Sequence, residues 1–304
     1  MFSLKVLRSC LGIYLSAVTL VVFLPGISVA DENGSTILKI SGSAAKADSG
    51  QTIATQTVPP DRITGEYVKG YLTDTGRILA SPVNWDGNDW LKAALIIGAT
   101  SGIYFADTDI KNFSQRNQSQ AGDKFAAAGN ALGNPFYSLP SLGLFYLYGH
   151  LNEDPKARRA SLLTVESIAI SGALTLAIKQ ATQRSRPFTG ENSITWDGPG
   201  LKNSDPSFPS LHTTAAFSIA SVFAEEYGNN QYVPPIAYGL ATLTGLSRIY
   251  DNKHWASDAF FGAAIGYFVG KAVVSYHSVQ SDSAVKIMPV ISQQSFELRA
   301  EYRF

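Results

Sequence analysis

The chain has little of what several common chemistries require. Its 304 residues contain one cysteine, Cys10, and four histidines. A lone cysteine excludes a disulfide framework and a cysteine-ligated metal. Net charge is also lacking, because 24 basic residues balance 24 acidic ones. No global field draws the chain to nucleic acid or to an acidic surface partner, so any electrostatic function is local. No internal repeat and no long run of one charge is visible. Beyond the N-terminus, charge-free apolar stretches such as 167–178 and 259–270 have only twelve residues, against the roughly 20 that a membrane span needs.

What is present begins with an export pattern. Lys5 and Arg8 precede an apolar run over 11–24, then Pro25-Gly26 and a small-residue cleavage pattern, Ser28-Val29-Ala30. We expect a signal peptide over 1–30, the alternative being an uncleaved membrane anchor. Removal would take Cys10 with it and leave 22 basic against 24 acidic residues, since only Lys5 and Arg8 are lost. Residues 31–60, rich in Ser, Gly, Ala, Thr and Gln, read as a flexible linker. From about residue 89 onward the spacing of apolar residues is helical. Helices are expected over 90–106, 158–182, 210–227, 234–249 and 254–276. The expected fold is an all-α bundle of about six main helices in a domain spanning 61–280. A short C-terminal β segment within 281–304 follows from the strict alternation of Phe296, Leu298, Ala300, Tyr302 and Phe304.

Three stretches carry chemistry. In KQATQRSRP, Lys179 lies near a helix end and Arg186 precedes the helix-stopping Pro187; alone, these cations only complement a helix dipole. In PSLHTT, Ser210 stands where a helix N-cap belongs and His212 falls in the first turn, beside amides free to bind an anion. In SRIYDNKHWASD, Asp258 follows His254 by one helical turn. A carboxylate there fixes the imidazole tautomer by accepting from Nδ1–H, leaving the Nε2 lone pair outward. Taken separately this is an ordinary polar pair. Taken together, Lys179, Arg186 and Arg248 without carboxylate partners repel one another unless a polyanion lies between them. A phosphoryl group fits, held by guanidinium forks and an ammonium charge.

The full pattern is Lys179, then Arg186-Pro187, then Pro209-Ser210-x-His212, then Ser247-Arg248, His254 and Asp258. It resembles the tripartite signature of the phosphatidic acid phosphatase type 2 and vanadium haloperoxidase superfamily. The resemblance extends over most of the chain from about residue 89 to 276. It implies that His254 attacks phosphorus to form a phosphohistidine, that Asp258 orients it, and that His212 protonates the leaving oxygen. Lys179, Arg186, Ser210, the Leu211 amide and Arg248 would hold the phosphate, with no metal and no cofactor. One departure stands out, because the family usually has glycine where this chain has Leu211. That puts pocket size and efficiency in question. The implied substrate is a phosphate monoester or diphosphate, lipid-linked in the leading reading and soluble in the other, with membrane association consistent with the apolar helices and no nucleic-acid partner. Two alternatives stay open. A vanadium-dependent haloperoxidase shares the signature, although no histidine precedes His212 within the loop 186–209. A non-catalytic envelope protein could use the site only to bind phosphate. Trp196 in that loop reads as an entrance residue or a core plug, and His150 and His277 as structural or surface residues.

Overall fold

The computed structural model describes residues 38–41, 61–200, 205–282, 286–291 and 296–301. The expected signal peptide and nearly all of the expected linker lie outside the described residues. Among the described residues there are eight α-helices rather than about six. They are α1 (Gly65–Ala80), α2 (Gly87–Arg116), α3 (Gln120–Gly133), α4 (Pro135–Leu151), α5 (Pro155–Thr182), α6 (Leu211–Glu226), α7 (Val233–Tyr250) and α8 (Ala256–Asp282). Three short strands, Leu38–Ser41, Lys286–Ile291 and Phe296–Glu301, pair antiparallel through the last of them. They take no part in the site, and the C-terminal β segment stays an expectation.

Helix starts follow local chemistry more closely than apolar periodicity does. Asp86 accepts from the Asn88 and Asp89 amides and so starts α2 at Gly87, ahead of the expected start at residue 90. Asp154 caps α5 through the amides of Lys156 and Ala157, with Pro155 at its first position. The other end of α5 comes at Gln183, which adopts left-handed backbone at φ 50°. The helix therefore stops four residues before Pro187, and Pro187 begins a short 3-10 turn instead.

The core is organised around α8, which is apolar on nearly every side and is buried accordingly. On one side Phe260, Ala263 and Tyr267 pack with Phe217 and Ala220 of α6, Ala241 and Ile249 of α7, and Ile103 of α2. On the other, Ile265, Val269 and Val273 meet Leu163 and Ile170 of α5 and Val222 of α6. Truncating Phe217 or Phe260 to alanine costs about 3–5 kcal/mol at such fully buried positions. Between α6 and α8 the contact is backbone to backbone. A Cβ at Gly262 would lie 2.6 Å from the Ser210 carbonyl oxygen, and Gly266 and Gly270 face Thr214 and Ser221 just as closely. Glycine every fourth residue lets the start of α6 sit directly on the first turns of α8. As a result, the Ser210 amide donates to the Asp258 carbonyl at 3.0 Å. This close approach brings the second and third sequence stretches together.

Candidate active site

The three stretches converge where α5 ends and where α6 and α8 begin. His254 is buried and stands two residues before α8, so it does not itself open the helix. Its Nε2 lies 3.1 Å from Arg186 Nη1. Arginine can only donate, so Nε2 is the acceptor and the ring proton is on Nδ1. Nδ1 faces Asp258 Oδ2 at 3.6 Å and Ser207 Oγ at 3.5 Å. Ser207 in turn donates a short hydrogen bond to Asp258 Oδ2. The expected carboxylate–imidazole pair is present at ion-pair distance, with a serine hydroxyl beside it. Asp258 Oδ2 also accepts the Trp255 amide at 2.9 Å.

The cations surround these imidazoles, though with more partners than the sequence suggested. Lys179 Nζ donates to the carbonyls of Pro206 and Ser207, at 2.5 and 3.0 Å. Arg186 donates to the Lys253 carbonyl at 2.8 Å and has a carboxylate partner after all, Asp205 at 2.6 Å. Asp205 side-chain exposure is 64%, so that pair is heavily solvated and its attraction correspondingly weak. Arg248 bonds Asn130 Oδ1 of α3 through Nη1, while its Nε is buried with no hydrogen-bond partner. Ser210 is the N-cap of α6, as expected, but its hydroxyl caps no first-turn amide and instead accepts from Thr213. The first-turn amides of Leu211 and His212 are thus not capped by the Ser210 side chain.

His212 reports how closely the cations gather. Burial, then the charges of Arg248, Arg186 and Lys179, push its imidazole down to about 4. Burial likewise holds His254 well below the ordinary histidine value, against the opposing pull of Asp258. Both rings are therefore neutral at pH 7. A dianion among the cations would cancel the fields that depress His212 and make its protonated form accessible.

Sequence reasoning missed the group beneath the site. Arg184 is fully buried and donates to Asp258 Oδ1 at 2.6 Å and to Asp107 Oδ2 of α2 at 2.7 Å. It also donates to Ser257 Oγ and the Ser193 carbonyl. Asp107 accepts the Ser257 amide and hydroxyl. The Arg184 guanidinium lies 4.9 Å from the ring centres of Tyr104 and Trp196 and 5.4 Å from that of Trp255. Trp196, expected at an entrance or as a plug, covers this arginine while remaining 38% exposed. The one available signal was the spacing of Arg184 and Arg186 by two residues. Asp107 gave none, being 77 positions from its partner. Because Arg184 engages both Asp107 and Asp258, the surplus charge facing the imidazoles is positive. The arrangement suits a tetrahedral anion with a nucleophilic nitrogen on one side.

Residues 160–282 match the family model described as PAP2 superfamily. The lipid A 1-phosphatase of Porphyromonas gingivalis is 39% identical over 105 residues, which cover 34% of this chain and 21% of that protein. The decaprenylphosphoryl-5-phosphoribose phosphatase of Mycobacterium tuberculosis is 31% identical over 121 residues, covering 40% and 63% respectively. The chain thus spans less than two thirds of the length of either relative. Among solved structures, LpxE of Aquifex aeolicus aligns over 56% of this chain and 95% of its own, with a TM-score of 0.44 and 23% identity. The PAP2-type phosphatidylglycerolphosphate phosphatase of Bacillus subtilis aligns over 70% and 94%, with a TM-score of 0.43 and 16% identity. All three sequence stretches lie inside residues 160–282, so the resemblance read from them and the match to the PAP2 superfamily model fall on the same segment.

Proposed function

We propose that this protein is a lipid-phosphate phosphatase that works through a histidine nucleophile. The observation that carries the reading is the pairing of His254 Nε2 with Arg186 at 3.1 Å inside a cluster of three cations. A phosphoryl group entering the cluster takes Arg186, Lys179, Arg248 and the first-turn amides of α6 as its oxygen partners, which frees the Nε2 lone pair. His254 Nε2 then attacks phosphorus and the bond to the leaving oxygen breaks. His212, protonated once the dianion is bound, delivers its proton to that oxygen. Asp258 and Ser207 hold Nδ1–H so that the developing positive ring is stabilised. Water, deprotonated by His212, then attacks the phosphohistidine, releasing phosphate and restoring neutral His254. Fixed positive charge on the equatorial oxygens supplies most of the catalysis in such a transfer.

The lipid part of the reading rests on an apolar groove at the site. Leu211, next to His212, lines a cavity of about 320 Å³ with Ile168, Gly172, Leu176 and Pro135. The departure from glycine thus places a hydrocarbon wall where a chain attached to the phosphate would lie. Two helices, α5 and α8, contain 18-residue stretches with mean hydropathy 1.7 and 1.3 and are long and apolar enough to cross a membrane, although more than half of each stretch is buried in the bundle. Large apolar side chains also stand exposed on α2 and α4, among them Ile97, Phe105, Phe136 and Leu144. These features support membrane association, with the site reached from the lipid phase. The relatives named above are phosphatases of lipid A and of a decaprenyl phosphoribose, substrates of this same chemical kind.

The test is a panel of phosphatidate, an isoprenyl diphosphate and a soluble chromogenic phosphate ester, with orthovanadate as inhibitor and His254→Ala as control. The reading requires hydrolysis of a lipid phosphate in excess chelator, vanadate inhibition, and loss of turnover in the variant. Bromide oxidation by peroxide with added vanadate would instead identify a haloperoxidase. Phosphate binding without any turnover would identify the non-catalytic envelope protein.

A further inference from the structure

A second buried cluster lies far from the phosphate site and has the opposite sign. Asp74 of α1, Glu166 of α5 and His277 of α8 bring one ligand atom each to within 4.8 Å of one another. His277 Nε2 is 3.1 Å from Glu166 Oε2 and 3.3 Å from Asp74 Oδ2. One ring nitrogen carries at most one proton and cannot satisfy two carboxylates. Glu166 is fully buried, and its second oxygen, Oε1, has no hydrogen-bond partner. Arg77 reaches only Asp74, from a side chain that is 49% exposed. Two buried carboxylates thus face one imidazole, an arrangement short of positive charge.

We infer that Asp74, Glu166 and His277 form a binding site for a divalent transition ion of the zinc type. Ligand atoms around a tetrahedral ion bonded at about 2.1 Å stand roughly 3.4 Å apart, close to the two separations given above. Two carboxylates with an imidazole form a donor set that such ions accept. The spare Glu166 Oε1 is a further oxygen donor on the same carboxyl group. Tyr67 donates to Glu166 Oε2 at 2.9 Å and orients the carboxylate, as an outer-shell group does in known metal sites.

The ion would act as a staple. Tyr67 and Asp74 are the two buried residues of α1, and both belong to this cluster. The buried anchors of α1 are therefore polar, with Ile78 packed at the edge of the core, and the ion joins them to Glu166 in the first half of α5 and to His277 near the end of α8.

The experiment uses the full chain purified without chelator. Bound metal is counted by mass spectrometry, and unfolding temperature and protease cleavage within α1 are followed in chelator and in Zn²⁺. The expected result is one ion per chain, a rise on the order of 5 to 10 °C at about 100 times Kd, and cleavage in α1 only when the ion is removed. Asp74→Asn should lose the ion and the shift while hydrolysis below the unfolding temperature stays within about twofold of wild type. A wild-type chain that holds no ion and gains no stability from Zn²⁺ overturns the proposal. So does an Asp74→Asn chain that keeps both, or a stability that follows pH and ignores metal. If the variant does not fold, the wild-type measurements decide alone. None of these readouts depends on phosphate hydrolysis, so this site and the phosphatase reading stand or fall separately.

Discussion

Two buried clusters of opposite charge lie along the α5–α8 pair, and the contrast fits the two different guests proposed for them. At one end Lys179, Arg186 and Arg248 outnumber the carboxylates that face the imidazoles. At the other, Asp74 and Glu166 outnumber the cations. Lys179 lies thirteen positions after Glu166 in α5, about 20 Å of helix, so the two clusters share no direct contact. In each case the uncompensated charge is a statement about what binds. Cations left without full partners call for an anion, and carboxylates left without them call for a cation.

The strongest way to break this comparison is to remove one imidazole from each end. His254→Ala should lower kcat by on the order of 10⁴-fold or more, as loss of a nucleophile does elsewhere. His277→Gln should leave kcat within a few fold and act instead on stability. Steady-state assays on a lipid phosphate, run well below the unfolding temperature of each variant, check both. Comparable losses of kcat would mean that the far cluster is part of the reaction machinery and that the ends are not independent.

A second contrast concerns arginine. Arg184 is fully buried between Asp107 and Asp258, and Arg184→Met strands two carboxylates in the core. The expected loss is about 3–5 kcal/mol, seen as a fall in unfolding temperature of roughly 10 °C or more. Arg77→Met at the far end removes a half-exposed pair and should cost about 0–1 kcal/mol. Denaturation of the two variants side by side measures the difference. If Arg184→Met is as mild as Arg77→Met, the network under His254 is not what holds Asp258 in place.

What the sequence revealed follows the same division. The end with surplus cations was legible because its residues fall in three short stretches with fixed spacing, and because cations without local partners are visible in a string of letters. His212, His254, Asp258, Lys179, Arg186, Ser210 and Arg248 all belong to the convergence. The far cluster was not legible, since Asp74, Glu166 and His277 come from three helices with no pattern to link them, and His277 read as an isolated histidine. Asp107 and Asn130 were hidden for the same reason. Helices α1, α3 and α4 were missed: PFYSLPSLGLFYLYGHL has weak apolar periodicity and a proline inside it, whereas QAGDKFAAAGNALG is amphipathic but carries three glycines where helices usually have none. Packing decides them: a Cβ at Gly133 would lie 2.7 Å from the His212 carbonyl oxygen, so glycine is what lets α3 close under the site.

Protonation offers a smaller but directional effect. The unfolded chain protonates His212 near the ordinary value of 6.5, whereas the folded chain resists protonation until about 4. Stability from this residue is therefore full at neutral pH and falls as pH drops through that window, by on the order of 2 kcal/mol. His254, depressed by burial, acts in the same direction. Unfolding temperature measured from neutral to about pH 4.5 should decline, and His212→Asn should flatten the decline. Saturating orthovanadate should flatten it too, because an anion among the cations lifts the penalty on a protonated ring. A decline that vanadate leaves untouched would mean that the anion does not bind beside His212.

The smallest expected effect bears on chain length. Gly172 faces Leu211, and a Cβ added there would lie 3.8 Å from Leu211 Cδ1 in otherwise open space. Gly172→Ala should therefore fit with little change. Gly172→Leu extends three carbons further into the cavity of about 320 Å³ and occupies room that a hydrocarbon chain would use. Each methylene kept from burial is worth about 0.8 kcal/mol, so losing contact with two of them raises KM for a long-chain lipid phosphate by roughly tenfold. A short-chain or soluble phosphate ester, which does not reach the groove, should keep its KM in the same variant, and kcat should hold for both because the cations and imidazoles are untouched. Equal losses on long and short substrates would mean that Leu211 and Gly172 shape the phosphate pocket itself, and that the departure from glycine at 211 narrows the site instead of extending it toward a lipid.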